Sequence, residues 1–127
     1  MMAKSQEREK CATGIEGLDS ILGGGFPVGN MVLVTGVPGV GKTSLSLEFA
    51  IRGAAGGERT IYITTIERPE KLIASVPEYD FFDRDLLESG MLRFMEVSEL
   101  LESSSIYGRP ETREDIMRFG EALSRHI

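Results

Sequence analysis

The stretch Gly36-Val37-Pro38-Gly39-Val40-Gly41-Lys42-Thr43 sets glycines, a lysine and a hydroxyl at the spacing that cradles polyphosphate. Triphosphate oxygens must be met by several convergent backbone N–H groups, and a glycine-rich turn lets the main chain wrap that closely. The turn runs into a helix start, where unpaired N–H groups and the positive end of the helix dipole face the anion. Contacts to the phosphates are expected from Gly36, Val37, Gly39, Val40, Gly41, Lys42, Thr43 and Ser44. Lys42 would reach the β and γ phosphates as a mobile point charge, and the Thr43 hydroxyl would be a magnesium ligand. The motif thus predicts a bound Mg-nucleoside triphosphate.

Such a loop needs a strand before it and a helix after it. The apolar run Met31-Val32-Leu33-Val34 predicts a strand over residues 31–35, apolar on both faces and suited to the centre of a parallel sheet. A helical pattern starts at Ser44, its buried stripe being Leu47, Ala50, Ile51 and Ala54, and Gly56-Gly57 stops it. A second strand is expected over residues 60–66, and Pro69 fits the first position of a short helix carrying Leu72, Ile73 and Val76 that Pro77 ends. Tyr79, Phe81 and Phe82 read as a satellite core, with a base-stacking platform as the alternative. A third strand follows over residues 91–97, then a surface loop over residues 98–110. Thr112-Arg113-Glu114-Asp115 announces a last helix with Ile116, Phe119, Gly120, Leu123 and Ile127 on one face. Alternating strands and helices predict an α/β three-layer sandwich with a mostly parallel sheet.

Upstream, residues 1–12 form a charged arm expected to be partly disordered, and residues 13–127 are expected to belong to one domain. The start of the arm is neither a signal peptide nor an anchor, and the longest apolar runs fall far short of a membrane span. One cysteine, Cys11, excludes an internal disulfide and fits a reducing cytoplasm. His126, the single histidine, has no ligand partners around it in sequence and reads as a surface residue. The balance of 20 acidic against 14 basic side chains, net -6, weighs against a stand-alone nucleic-acid binder.

The lead-in Thr13-Gly14-Ile15-x-Gly17-Leu18-Asp19-x-x-Leu22-Gly23-Gly24-Gly25, followed by Pro27-x-Gly29, a strand and the phosphate loop, resembles the KaiC-like branch of the RecA/RadA superfamily of P-loop ATPases. The likeness is close from Thr13 to about Pro77 and looser beyond. It implies a RecA-like fold, ATP and magnesium as cofactors, a homo-oligomer, commonly a ring with nucleotide between subunits, and a role in clock, signalling or recombination-related processes.

Two departures from the family pattern bear on chemistry. The resemblance implies a pair of adjacent glutamates at the end of strand two, and this chain reads Ile66-Glu67. Glu67 is therefore a catalytic candidate beside Lys42: it either positions an attacking water or is an acid stabilising the helix start at Pro69. The resemblance also implies a Walker B strand ending in Asp, beside the phosphate-loop strand and after the last helix. The expectation is a domain truncated before that strand, its 31–35 edge left uncovered and completed by further copies or by a complementing C-terminal half. The function expected is an ATP-binding KaiC-like ATPase domain that hydrolyses only when complete and oligomeric. The alternatives are a non-hydrolysing regulatory or assembly module and a DNA-dependent recombinase-like ATPase.

Overall fold

The computed structural model describes residues 8–103 and 112–126. Its first element, β1 (Lys10–Cys11), pairs antiparallel with β2 (Phe26–Pro27), so that Cys11 lies opposite Phe26. The helical turn α1 (Leu18–Ile21) sits between them. The glycines after α1 let the chain return across β1: Gly25 has φ of 130°, and a Cβ there would run into the Cys11 carbonyl and reach to 2.8 Å from the Ala12 Cα. Only glycine fits such an approach.

The long helix α2 (Lys42–Ala55) carries the expected stripe, with Leu47, Ala50, Ile51 and Ala54 all buried. It packs on β3 (Thr60–Thr64), which is joined in parallel to β4 (Leu92–Glu96), Thr60 standing opposite Leu92. Tyr62 and Phe94 are register partners with ring centroids 5.4 Å apart, the kind of cross-strand aromatic pair that fixes a register. Between the strands run α3 (Pro69–Ser75), the 3-10 turn Val76–Glu78 and α4 (Asp85–Glu88). Leu72, Val76, Leu86 and Leu92 join the α2 stripe in one core, and Tyr79, Phe81 and Phe82 pack half-buried against it, as a satellite core should. Fully burying a side chain such as Ile51 or Leu47 contributes about 1.5–3 kcal/mol.

Three expectations need correction. Residues 31–35 form no strand and join no sheet; Met31 and Leu33 are 98% and 84% exposed, Val32 and Val34 about half exposed. A parallel strand exists only where neighbours satisfy its backbone and cover its faces, and the described residues supply none to this segment. Second, the region read as a surface loop opens with a helix, α5 (Val97–Ser103), whose Leu100 is fully buried; residues 104–111 lie outside the described residues. Third, α6 (Arg113–His126) packs against α5, with Ala122 fully buried and Phe119 and Leu123 half-buried, while Ile116, on the apolar face read from the sequence, stays 63% exposed. Its start is a reciprocal cap: Asp115 N–H donates to Thr112 Oγ1 and Thr112 N–H donates to the Asp115 carboxylate, each at 3.1 Å. Residues 1–7 of the expected arm, the core-face Ile127 and the His126 side chain read as a surface group lie outside the described residues.

Candidate functional site

The glycine-rich loop leads directly into α2. Gly39 and Gly41 hold φ of 86° and 100°, left-handed values that cost other L-residues roughly 1–2 kcal/mol each. Gly41 caps the helix, and the first helical bond runs from Leu45 N–H to its carbonyl at 2.9 Å. The N–H groups of Lys42, Thr43 and Ser44 therefore have no intrahelical acceptor. No acidic residue stands in the first turn of α2, so the positive end of the helix dipole is not offset there. At Gly36 a Cβ would stand 2.8 Å from a Val40 methyl, so the loop closes on itself too tightly for a side chain.

The Lys42 side chain bends back over this turn. Its Nζ donates to the carbonyls of Gly36 at 2.6 Å and Val37 at 3.0 Å. The ammonium is thereby held over the mouth of the loop. Thr43 is exposed, its hydroxyl has no hydrogen-bond partner among the described residues, and its carbonyl accepts from Ser46 Oγ at 2.9 Å. Because that bond uses the single Ser46 proton, the Tyr62 hydroxyl must be the donor in its 2.9 Å contact with Ser46 Oγ. This ties the start of α2 to β3.

At the end of β3, the buried Thr64 makes a two-way clamp: its Oγ1 donates to the Glu67 carbonyl at 2.8 Å and accepts from the Glu67 N–H at 3.2 Å. Glu67 is half-buried past the C-terminal end of β3, while Ile66 is 93% exposed. Arg68 is the cap residue of α3, and no side chain caps that helix, so Glu67 makes no capping bond. No ion pair joins Glu67 to Lys42 among the described residues. Sequence reading missed the Thr64 clamp, since threonine in a β-branched run reads as ordinary strand composition.

The lead-in is organised by one carboxylate. Asp19 accepts from Thr13 Oγ1 at 2.7 Å, Thr13 N–H at 2.8 Å and Gly14 N–H at 3.0 Å, and Thr13 is almost wholly buried. The Thr13 hydroxyl and backbone bonds, with Gly14's, hold the Asp19 carboxyl below its ordinary range. Nearby, burial pushes the Cys11 thiol up, and the charges of Glu58 and Asp19 add to this, so it stays protonated and weakly nucleophilic.

A cavity of about 630 Å³ lies between this lead-in and α2, walled by Phe26, Val32, Val34, Leu45 and Phe49 and including none of residues 36–44. It flanks the phosphate-type loop rather than containing it. Val32 and Val34, two apart, turn toward it, and Met31 and Leu33 are the more exposed alternate residues.

The pattern that defines the KaiC ATPases matches residues 11–127. The chain belongs to the KaiC ATPase family. It is a KaiC-like domain of the RecA/RadA superfamily. It is 39% identical over 84 residues to a UPF0273 protein of Methanopyrus kandleri, covering 66% of this chain and 33% of that one. To the circadian clock oscillator protein KaiC of a Nostoc species it is 34% identical over 119 residues, 93% of this chain and 23% of the relative. To the DNA repair protein RadA of Mycobacterium tuberculosis it is 50% identical over 54 residues, 42% of this chain and 11% of the relative. The chain thus spans a third or less of the length of these relatives. No helix among the described residues is long and apolar enough to cross a membrane.

Proposed function

We propose that residues 36–44 bind the triphosphate of Mg-ATP and that the chain is the nucleotide-loop part of a KaiC-like ATPase domain. The observation that carries this reading is the left-handed Gly41 capping a helix whose first three N–H groups are unpaired, with the Lys42 ammonium lodged on the Gly36 and Val37 carbonyls. A triphosphate would take those N–H groups and draw Lys42 off the loop onto its β and γ oxygens. The backbone at Gly36, Val37, Gly39, Val40 and Gly41 would line the cradle.

Magnesium fits the residues present as a metal held mainly by phosphate and water. Among the described residues the exposed Thr43 hydroxyl has no hydrogen-bond partner, and no cluster of three or more His, Cys, Asp or Glu residues could hold a metal. When bound, the ion would neutralise charge on the β and γ oxygens, with Thr43 as its protein ligand.

Glu67 would act where β3 ends, in the crevice beyond the C-terminal ends of parallel strands, by orienting a water toward the γ-phosphorus. A helix-start role, which acts through the dipole of α3 and needs no capping bond, is the alternative that Glu67→Gln separates. With Ile66 where the family resemblance implies a second acid, the reading is a slow ATPase. The single acid also supports a second reading, a module that binds nucleotide without hydrolysing it.

The exposed face at residues 31–34 and the cavity beside it are the reason for proposing that the domain works in an assembly. Further polypeptide of the same domain, laid as a strand along residues 31–35 with a covering helix, would bury Met31 and Leu33 and satisfy the backbone. Homo-oligomerisation would follow on that completion.

Equilibrium dialysis against Mg-ATP with parallel measurement of released phosphate tests the proposal. Nucleotide retained with slow release supports the ATPase reading, and nucleotide retained with no release by the completed domain supports the binding module. Absence of any triphosphate binding would overturn both.

A further inference from the structure

We infer that Tyr79 is an additional phosphate ligand of the proposed triphosphate site, contributing its phenol hydroxyl beside Ser44. The inference rests on the reading of residues 36–44 as a triphosphate loop and extends it to a side chain that no loop motif contains.

Tyr79 reaches the site because the chain after α3 tightens into the 3-10 turn Val76–Glu78, which contains Pro77, and Tyr79 N–H closes it on the Val76 carbonyl at 3.1 Å. Its ring is then fixed from behind. Phe81 stacks on it with centroids 5.2 Å apart and planes 23° apart, and the Arg52 guanidinium lies over Phe81 at 5.0 Å. The row Arg52, Phe81, Tyr79, Ser44 runs beside α2 from its last turns to its first, so the phenol oxygen is delivered to the end of the helix that faces the phosphate loop.

There the hydroxyl meets Ser44 Oγ at 3.3 Å, in an exposed contact. That separation is well beyond the 2.7–2.8 Å usual for hydroxyl pairs. One hydroxyl proton is held only weakly in this contact and the other is left available for a stronger acceptor. A phosphate oxygen is such an acceptor, because hydrogen bonds to an ionised group are shorter and about twice as strong as neutral ones. With triphosphate bound, both hydroxyls turn from each other to the anion. Tyr79 thus closes the side of the cradle that the backbone of residues 36–41 leaves open.

The test is titration of the full chain with inorganic triphosphate and, separately, with ATP, both in magnesium, for the parent and for Tyr79→Phe. The variant keeps the ring stacked on Phe81 and loses only the oxygen. The expected result is an affinity about tenfold lower for both ligands, with an unchanged melting temperature. The chain has three tyrosines and no tryptophan, so ligand-induced change in tyrosine emission should also be present in the parent and largely lost in Tyr79→Phe. Unchanged affinity for inorganic triphosphate would overturn the inference. Weakening of ATP alone would also overturn it, assigning the ring to the nucleoside instead, and a drop in melting temperature matching the affinity loss would make Tyr79 a structural residue. A parent chain that binds neither ligand would mean that the loop itself has been misread; where the parent binds, Lys42→Ala, which keeps Tyr79, should weaken both ligands by about tenfold or more and so tests the loop apart from the phenol.

Discussion

Lys42 donates to the carbonyl of Gly36, six residues earlier, at 2.6 Å, closing the phosphate-type loop on its own ammonium. The residue proposed to grip the ligand is thus already positioned by the turn it serves. Binding exchanges two carbonyl acceptors for charged oxygens, so loop geometry is kept while the charge becomes engaged.

The clamp on Glu67 gives a prediction that separates placement from chemistry. Thr64→Val removes both bonds to the Glu67 backbone at a buried position and should destabilise the chain by about 1–2 kcal/mol in denaturant unfolding. Glu67→Gln leaves the clamp intact. In a longer polypeptide carrying the rest of the domain it should lower phosphate release about a hundredfold while nucleotide affinity stays within about twofold. Unchanged release would return Glu67 to a helix-start role.

The lead-in should respond to acid in a defined direction. Since hydrogen bonds from Thr13 and Gly14 lower the folded-state value of Asp19, its contribution is present above the ordinary carboxylate range, about 3.9, and is lost as pH falls through the lowered value. Asp19→Asn removes this dependence. Urea midpoints for parent and variant should therefore differ most at neutral pH and converge below about pH 4. A constant difference across that window would show that Asp19 is not held by its charged form.

How far the sequence disclosed this molecule depended on whether the signal was local. The α2 stripe, the Thr112 and Asp115 cap and the strands β3 and β4 are each written in a few neighbouring residues, and each is where the pattern puts it. The helix α5 is too short for its periodicity to stand out from a polar loop, and its reason for existing, burial of Leu100, is a tertiary fact. On α6 the buried position is Ala122, which lies outside the apolar face read from residues 116, 119, 120, 123 and 127, and a small residue carries little periodic signal. Residues 31–35 have the composition of a buried strand without the neighbours that make one. At the site, the glycine turn and the helix start after it follow a local motif, whereas the Thr64 clamp and the Tyr79 contact join residues far apart in the chain or unremarkable in type.

The uncovered apolar segment predicts association. At neutral pH the chain of residues 1–127 should scatter light as a mixture of oligomers, and Leu33→Lys, at an 84% exposed position, should shift it toward monomer without lowering helical content. Adding the remainder of a KaiC-like domain, in cis or as a separate polypeptide, should raise the melting temperature and tighten nucleotide binding together. A monodisperse parent monomer unaffected by Leu33→Lys would remove the case for completion by further polypeptide.

The central claim is that residues 36–44 hold a triphosphate, and titration of the parent, Lys42→Ala and His126→Ala with a fluorescent ATP analogue in magnesium tests it most directly. Saturable binding is expected for the parent and for His126→Ala, displaced by unlabelled ATP, with an affinity lower by about ten- to a hundredfold or more for Lys42→Ala, which loses the one full positive charge aimed at the phosphates. Equal affinity of Lys42→Ala and the parent would contradict it.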